Sequence, residues 1–179
     1  MGCEIVEQFE TGQGFFSLCL AGQEDKNDML YILRETAELM VRDGLNQWTP
    51  SLFSLELMEE YVTEREVFLL KFDHKPAGLF TLQDSDPAYW GERNDQRFLY
   101  LHRLAVLPGF RGLQLGQKMI RFAEERAGNK EKIGLRLDCV SHLEGLNQFY
   151  KRQGFEFIAK QSMGKRFVHL YEKRFSGLS

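Results

Sequence analysis

The sequence predicts an α/β (α+β) fold in which a mixed sheet carries helices on its faces. Two observations predict it. Segments that alternate apolar and polar residues lie between segments whose apolar residues recur at helical spacing, and two of the helical ones end in glycine. The resulting order is β-α-α-β-β-β-α-β-α-β-β. No repeat, low-complexity block or Pro/Gly/Ser linker interrupts it, and 179 residues suit one core of ordinary size. Residues 14–179 therefore read as a single domain, with residues 1–13 as a tail or an edge strand.

Phe15 to Leu20 alternates, with Phe16, Leu18 and Leu20 on one side, as a strand does. Asn27 or Asp28 can cap a helix whose stripe is Met29, Leu33, Ala37 and Met40, ended by Gly44. Thr49-Pro50 offers an N-cap and first position for a second helix, with Leu52, Leu55, Met58 and Val62 facing inward. Val67 to Phe72 and Pro76 to Leu82 flank Asp73-His74-Lys75, a hairpin loop. Gln83 to Gln96 is polar and reads as a long loop before the strand Phe98 to Val106. Gly116 to Ala127 is the clearest helix, with Leu115, Met119, Ala123 and Ala127 on one face. Ile133 to Val140 is a strand, Leu143 to Gln153 a helix stopped by Gly154, and two closing strands follow.

Composition narrows the function. Hydrophobic residues make up 43% and charged ones 27%, the balance of a folded globular chain. A formal charge of -3 and a pI near 5.9 argue against nucleic-acid and anionic-membrane partners. No apolar run is long enough to span a bilayer. Met1-Gly2-Cys3-Glu4 lacks the layout of a secretion signal, and Val6 stands where myristoylation needs Ser or Thr. Cys3, Cys19 and Cys139 are odd in number and far apart, which predicts no disulfide framework, no CxxC metal knuckle and a reduced, cytoplasmic setting. His74, His102, His142 and His169 show no ligand spacing, so no metal is expected.

The segment that carries chemistry is Leu104-Ala105-Val106-Leu107-Pro108-Gly109-Phe110-Arg111-Gly112-Leu113-Gln114-Leu115-Gly116. A strand ends, Pro and Gly turn the chain, and a helix begins at once. Such a turn presents free backbone N–H groups beside the positive end of a helix dipole. Gly112 and Gly116 let phosphate oxygens approach, so a pyrophosphate is a suitable guest. An ordinary tight turn would look the same. Downstream, Asn147-Gln148-Phe149-Tyr150-Lys151-Arg152-Gln153-Gly154-Phe155 is a short helix with a tyrosine near its end and a Gly-Phe return into a strand. By itself Tyr150 reads equally as a core residue with a wet hydroxyl.

Together the two segments resemble the GNAT superfamily of N-acetyltransferases. That family's acetyl-CoA loop reads Arg/Gln-x-x-Gly-x-Gly/Ala after Val-x-Pro, matched here by Val106, Pro108, Arg111 and Gly116. Its last helix commonly ends Phe-Tyr-x-x-x-Gly-Phe, matched by Phe149, Tyr150, Gly154 and Phe155. The resemblance covers the chain from about Phe15 onward. It implies a mostly antiparallel twisted sheet of about six to seven strands with helices on both faces. Acetyl-CoA would be the co-substrate, held by Leu104, Ala105, Val106, Phe110, Arg111, Gly112, Leu113, Gln114, Leu115 and Gly116. Two positions depart from the pattern. Gln114 replaces the loop's first glycine, and Leu143 stands where the family often has the asparagine that holds the pantetheine arm, with Asn147 one turn on as the stand-in.

The resemblance implies direct transfer from thioester to a primary amine of a small molecule or peptide, without an acyl-enzyme. An alkylamine with a pKa near 10.4 is protonated at pH 7, at a cost of roughly 4–5 kcal/mol, so the site needs a proton acceptor. His102, four residues before Val106, is the candidate base, with Asp138 and Glu92 behind it. Histidine occupies that strand position in the arylalkylamine acetyltransferases, and the second histidine found there two residues earlier is Tyr100 here. Tyr150 is the acid for the departing thiolate. Cys139, among Leu135, Leu137 and Val140, reads as a buried strand cysteine and not a nucleophile. Trp48, Trp90 and Glu92 are candidates for holding a cationic amine by charge and cation–π contact, against the plainer reading of a solvated acidic loop with a packing tryptophan. A homodimer through the last strands is compatible with such folds. The rival from another class is a CoA-binding regulatory module of the same fold without transferase activity.

Overall fold

The computed structural model describes residues 3–177. It has eight strands in the order β1-β2-β3-β4-β5-β6-β8-β7. These are β1 (Glu4–Thr11), β2 (Gly14–Leu20), β3 (Glu66–Phe72), β4 (Lys75–Gln83), β5 (Phe98–Val106), β6 (Gly134–Val140), β7 (Glu156–Met163) and β8 (Arg166–Arg174). The helices are α1 (Lys26–Arg42), α2 (Leu55–Glu64), α3 (Pro87–Trp90), α4 (Leu115–Asn129) and α5 (Glu144–Arg152). The pairings of β1 with β2, β2 with β3, β6 with β8 and β7 with β8 are antiparallel, and β5 with β6 is parallel. The fold class is the expected mixed sheet, with one strand more than the six to seven anticipated because the segment before Gly14 pairs with β2.

Two compact units can be distinguished. The first runs to Thr81 and takes up again over Arg103–Gly116; the second comprises Leu82–His102 and the chain from Gln117 onward. The core of the first is built on Met29, Ile32, Leu33 and Ala37 of α1, Met58 and Tyr61 of α2, Leu69 and Leu79 of the strands, and Ala105 and Leu107. Asp73 (φ 48°) and His74 (φ 67°) both adopt the left-handed conformation, the geometry of a two-residue hairpin turn between β3 and β4. In the second unit Trp90, Phe98, Tyr100, Val168 and Leu170 pack together.

Several local expectations are corrected. The second helix begins at Leu55, because Ser54 Oγ accepts the Leu57 N–H at 3.1 Å; Pro50–Leu52 forms only a 3₁₀ turn. Leu52 and Leu55 consequently face outward, whereas Met58 is buried. The polar loop after Gln83 contains α3 and a 3₁₀ turn over Gly91–Arg93. Cys3 and Cys19 are joined in a disulfide with Cα atoms 5.6 Å apart, against the expectation of none. The sequence hid that pairing because β1, which carries Cys3 to β2, has no strong alternation of its own. No described helix is long and apolar enough to cross a membrane.

Candidate active site

In the first unit, β5 ends at Val106 and a 3₁₀ turn over Pro108–Phe110 follows. Phe110 N–H donates to Leu107 C=O at 3.0 Å and Arg111 N–H to Pro108 C=O at 3.3 Å, which closes the turn. The next N–H groups, from Gly112 to Leu115, precede the helical bonds of α4, where intrahelical acceptors do not reach. Gly112 has φ 85° and Gln114 has φ 59°. The left-handed position of Gln114 is where glycine is cheapest, which explains why the family pattern has glycine there; a non-glycine residue costs roughly 1–2 kcal/mol in that conformation. Arg111, Gly112 and Gln114 are exposed, Phe110 and Leu113 half-buried, and Leu115 buried.

In the second unit, β5 carries His102. Its Nε2 lies 2.9 Å from Asp86 Oδ2 and its Nδ1 lies 3.5 Å from Asp138 Oδ1. Asp86 reaches it because the loop before β5 is tied down. Asp86 N–H donates to Asn94 Oδ1 at 2.7 Å, Asn94 Nδ2 donates to Ser85 Oγ at 3.0 Å, and Trp90 N–H donates to Asp86 C=O at 3.0 Å. The ring of Tyr89 lies 5.8 Å from that of His102. Ligand atoms of Asp86, His102 and Asp138 all fall within 4.8 Å of one another, close enough to be considered for a metal ion. The two carboxylates, however, address opposite ring nitrogens, which suits a hydrogen-bonded relay better than one shared cation. Asp86 is not among the residues the sequence points to: it lies sixteen positions before His102, and no motif links the two.

Tyr150 on α5 is buried, its ring 6.1 Å from Phe155 and 6.4 Å from Tyr171. Burial, then the nearby Cys139 and Asp138, push its phenol far above the usual tyrosine range, so it keeps its proton. Asn147 is buried one turn earlier. Its Nδ2 donates to Val140 C=O at 3.0 Å and to Leu143 C=O at 2.7 Å, while its Oδ1 accepts from the Tyr171 hydroxyl at 2.6 Å and from His169 Nδ1 at 3.0 Å. All four hydrogen-bonding positions are used, so Asn147 pins α5 to β6 and β8 and has no valence left for a pantetheine amide.

Neither tryptophan stands open to a cationic substrate. Trp90 is 1% exposed with the Arg136 guanidinium 4.3 Å above its ring, and Trp48 is 7% exposed with Arg103 at 5.4 Å. Their faces hold the protein's own arginines, which corrects the cation–π expectation. Glu92 is exposed in the Gly91–Arg93 turn.

Cys139 is buried, and burial, then Asp138, push its thiol up to about 12. At pH 8 roughly one such thiol in 10⁴ is ionised, against about a quarter for an exposed cysteine of pKa about 8.5. Iodoacetamide at pH 8 is therefore expected to label no cysteine in the native protein and one after denaturation without reductant, counted by intact mass. Native labelling of Cys139 would contradict its burial. A thiol so protonated is a poor acyl acceptor, in agreement with its reading as a strand residue.

A strand that turns through left-handed residues into a helix N-terminus leaves successive backbone N–H groups without intrahelical acceptors. Residues 33–155 match the model of the acetyltransferase (GNAT) family. The chain is 33% identical over 174 residues to the uncharacterized N-acetyltransferase YesJ of Bacillus subtilis (strain 168), covering 94% of each. It is also similar in structure to a GNAT-family acetyltransferase from Listeria monocytogenes 4b F2365, with TM-score 0.77 and 28% identity over 94% of this chain and 100% of that one. The fold is shared with the PaiA N-acetyltransferase of Thermoplasma acidophilum, solved in complex with coenzyme A, with TM-score 0.70 and 16% identity over 89% and 99% of the two chains. The chain belongs to the GNAT family and is an N-acetyltransferase.

Proposed function

We propose that this chain binds acetyl-CoA along Leu104–Val106 and the Phe110–Gly116 loop, and transfers acetyl directly to the primary amine of a small molecule or peptide. The observation that carries the reading is the left-handed turn through Gly112 and Gln114 into the first turn of α4, which bares successive N–H groups for a pyrophosphate. Arg111, exposed at the head of that turn, adds a positive charge.

The amine arrives as an ammonium and must lose a proton before it can attack. His102 takes it. Asp86 accepts the Nε2–H, which fixes the tautomer and leaves the Nδ1 lone pair on the side of Asp138. Attack on the thioester carbonyl forms a C–N bond and a tetrahedral oxyanion, held by backbone N–H near Leu104. Collapse breaks the C–S bond and expels the CoA thiolate, to which Tyr150 donates a hydrogen bond. The attacking nitrogen sheds its second proton, which ends on the thiolate as the thiol, while the first proton stays on His102 until solvent takes it. The Glu4–Thr11 strand is an addition to this catalytic fold, which begins at Gly14.

An Arg111→Ala variant tests the loop. The Michaelis constant for acetyl-CoA is expected to rise about tenfold with turnover changed less, because an exposed phosphate contact adds binding energy common to ground and transition states. Unchanged acetyl-CoA affinity, or phosphates found elsewhere in a CoA complex, would refute the assignment.

A further inference from the structure

We infer that Arg103 forms a carboxylate-binding subsite, so that the preferred acceptor is an amine that also carries a carboxylate. The inference rests on the transferase reading above and adds the chemistry of the acceptor to it.

Arg103 is the one described non-glycine residue inside a strand with a left-handed backbone, at φ 57° in β5. Such a conformation is costly and persists only where the surroundings impose it. Here they are a box of buried aromatic residues in the first unit. The guanidinium lies 5.4 Å from the Trp48 ring and 5.3 Å from the Phe53 ring, and its Nε donates to the Tyr61 hydroxyl at 3.0 Å. Trp48 and Phe53 are themselves locked edge to face, 5.7 Å apart. The box thus holds the guanidinium against two rings and ties its Nε to a hydroxyl.

What the box leaves over is specific. Neither terminal amino group of Arg103 has a hydrogen-bond or ion-pair partner among the described residues, although the side chain is half-buried. The one buried arginine among the described residues, Arg136, is satisfied: it bonds Glu172, the Arg93 carbonyl and the Tyr100 hydroxyl. A planar cation held rigid, with its outer N–H donors uncommitted, has the geometry for a carboxylate received in a fork. Its place in the chain gives the guest a role. Arg103 directly precedes Leu104, read as the oxyanion donor, in the same unit. A carboxylate on the acceptor would anchor it beside the strand segment where the amine reacts.

The test uses matched amines that differ only in the carboxylate: phenylalanine with phenethylamine, leucine with isopentylamine, lysine with cadaverine. In the native enzyme kcat/KM should favour the carboxylate-bearing member. Arg103→Gln should lower kcat/KM for that member about ten- to a hundredfold, the worth of a charge-assisted hydrogen bond, and leave its decarboxylated partner within about threefold. Arg103→Lys, which keeps the charge but loses the fork, should fall between. Because the residue also fills the aromatic box, an independent readout in the native enzyme is 3-phenylpropionate, which should compete with the amine. Equal loss on both members of a pair, or a native preference for the decarboxylated member without inhibition by 3-phenylpropionate, would overturn the subsite. Failure to acetylate any amine of either set would instead remove the transferase reading.

Discussion

Replacing Tyr150 by phenylalanine is expected to lower turnover about ten- to a thousandfold while CoA still binds. The expectation starts from the side chain's surroundings. Tyr150 is held on α5 among Phe149, Phe155 and Tyr171, and its ring packing survives loss of the hydroxyl. That hydroxyl has no hydrogen-bond partner among the described residues, so it is available to a ligand. Burial keeps it protonated throughout the range in which the enzyme can be assayed, so its O–H can donate at every assay pH. A departing thiolate whose conjugate acid ionises at about 8.5 is a weaker base than the phenolate, and complete proton transfer is not required for it to leave. The effect therefore falls toward the lower part of the span for general acids, about 10²–10⁴. Steady-state turnover at saturating amine, with CoA affinity measured by calorimetry, gives the answer. The raised phenol also predicts that the native enzyme loses no activity through Tyr150 ionisation up to pH 10. Full activity in the variant would reduce Tyr150 to packing.

The sequence made the class of this protein readable, and not all of its site, for reasons that lie in which contacts are local. The turn from β5 into α4 is encoded by Pro108, Gly112 and the helix that follows, all within ten residues, so it could be read without a structure. Tyr150 was readable because the helix and its Gly154 stop are contiguous. Asp86 was not, since its tie to His102 depends on Asn94 and Ser85 folding the loop, and nothing in their spacing announces it. Trp48 and Trp90 could stand as candidates beside the plainer packing reading because a sequence shows an aromatic residue and not the arginine that will cover it. Arg103 was missed for the same reason in reverse: its distinguishing feature is a backbone angle. The family resemblance offers Asn147 as a stand-in for the pantetheine asparagine, whereas its amide is consumed by Val140, Leu143, His169 and Tyr171, partners spread from position 140 to position 171.

His102→Gln is expected to lower kcat/KM at pH 7 about a hundredfold, and the deficit should shrink as pH rises. The sign follows from what the base does. At neutral pH nearly all of an alkylamine is protonated, and the enzyme must strip the proton; near the amine's own pKa of about 10.4 the nucleophile arrives free. A variant lacking only the proton acceptor should therefore converge on the native rate at high pH, whereas one with damaged packing should remain low at every pH. Asp86 supplies a second, independent arm. Its carboxylate can only accept, so it holds the proton on Nε2 and keeps Nδ1 basic. In Asp86→Asn the amide can turn and donate to Nε2 instead, which moves the ring proton to Nδ1 and removes the lone pair on the Asp138 side. The variant should lose about tenfold or more in kcat/KM at neutral pH, with the same convergence at high pH and an unchanged Michaelis constant for acetyl-CoA. If His102→Gln shows a uniform loss across pH, or Asp86→Asn has no effect, His102 is not the base. The proton would then pass to Asp138 or Glu92, and the same pH comparison on Asp138→Asn and Glu92→Gln would identify which.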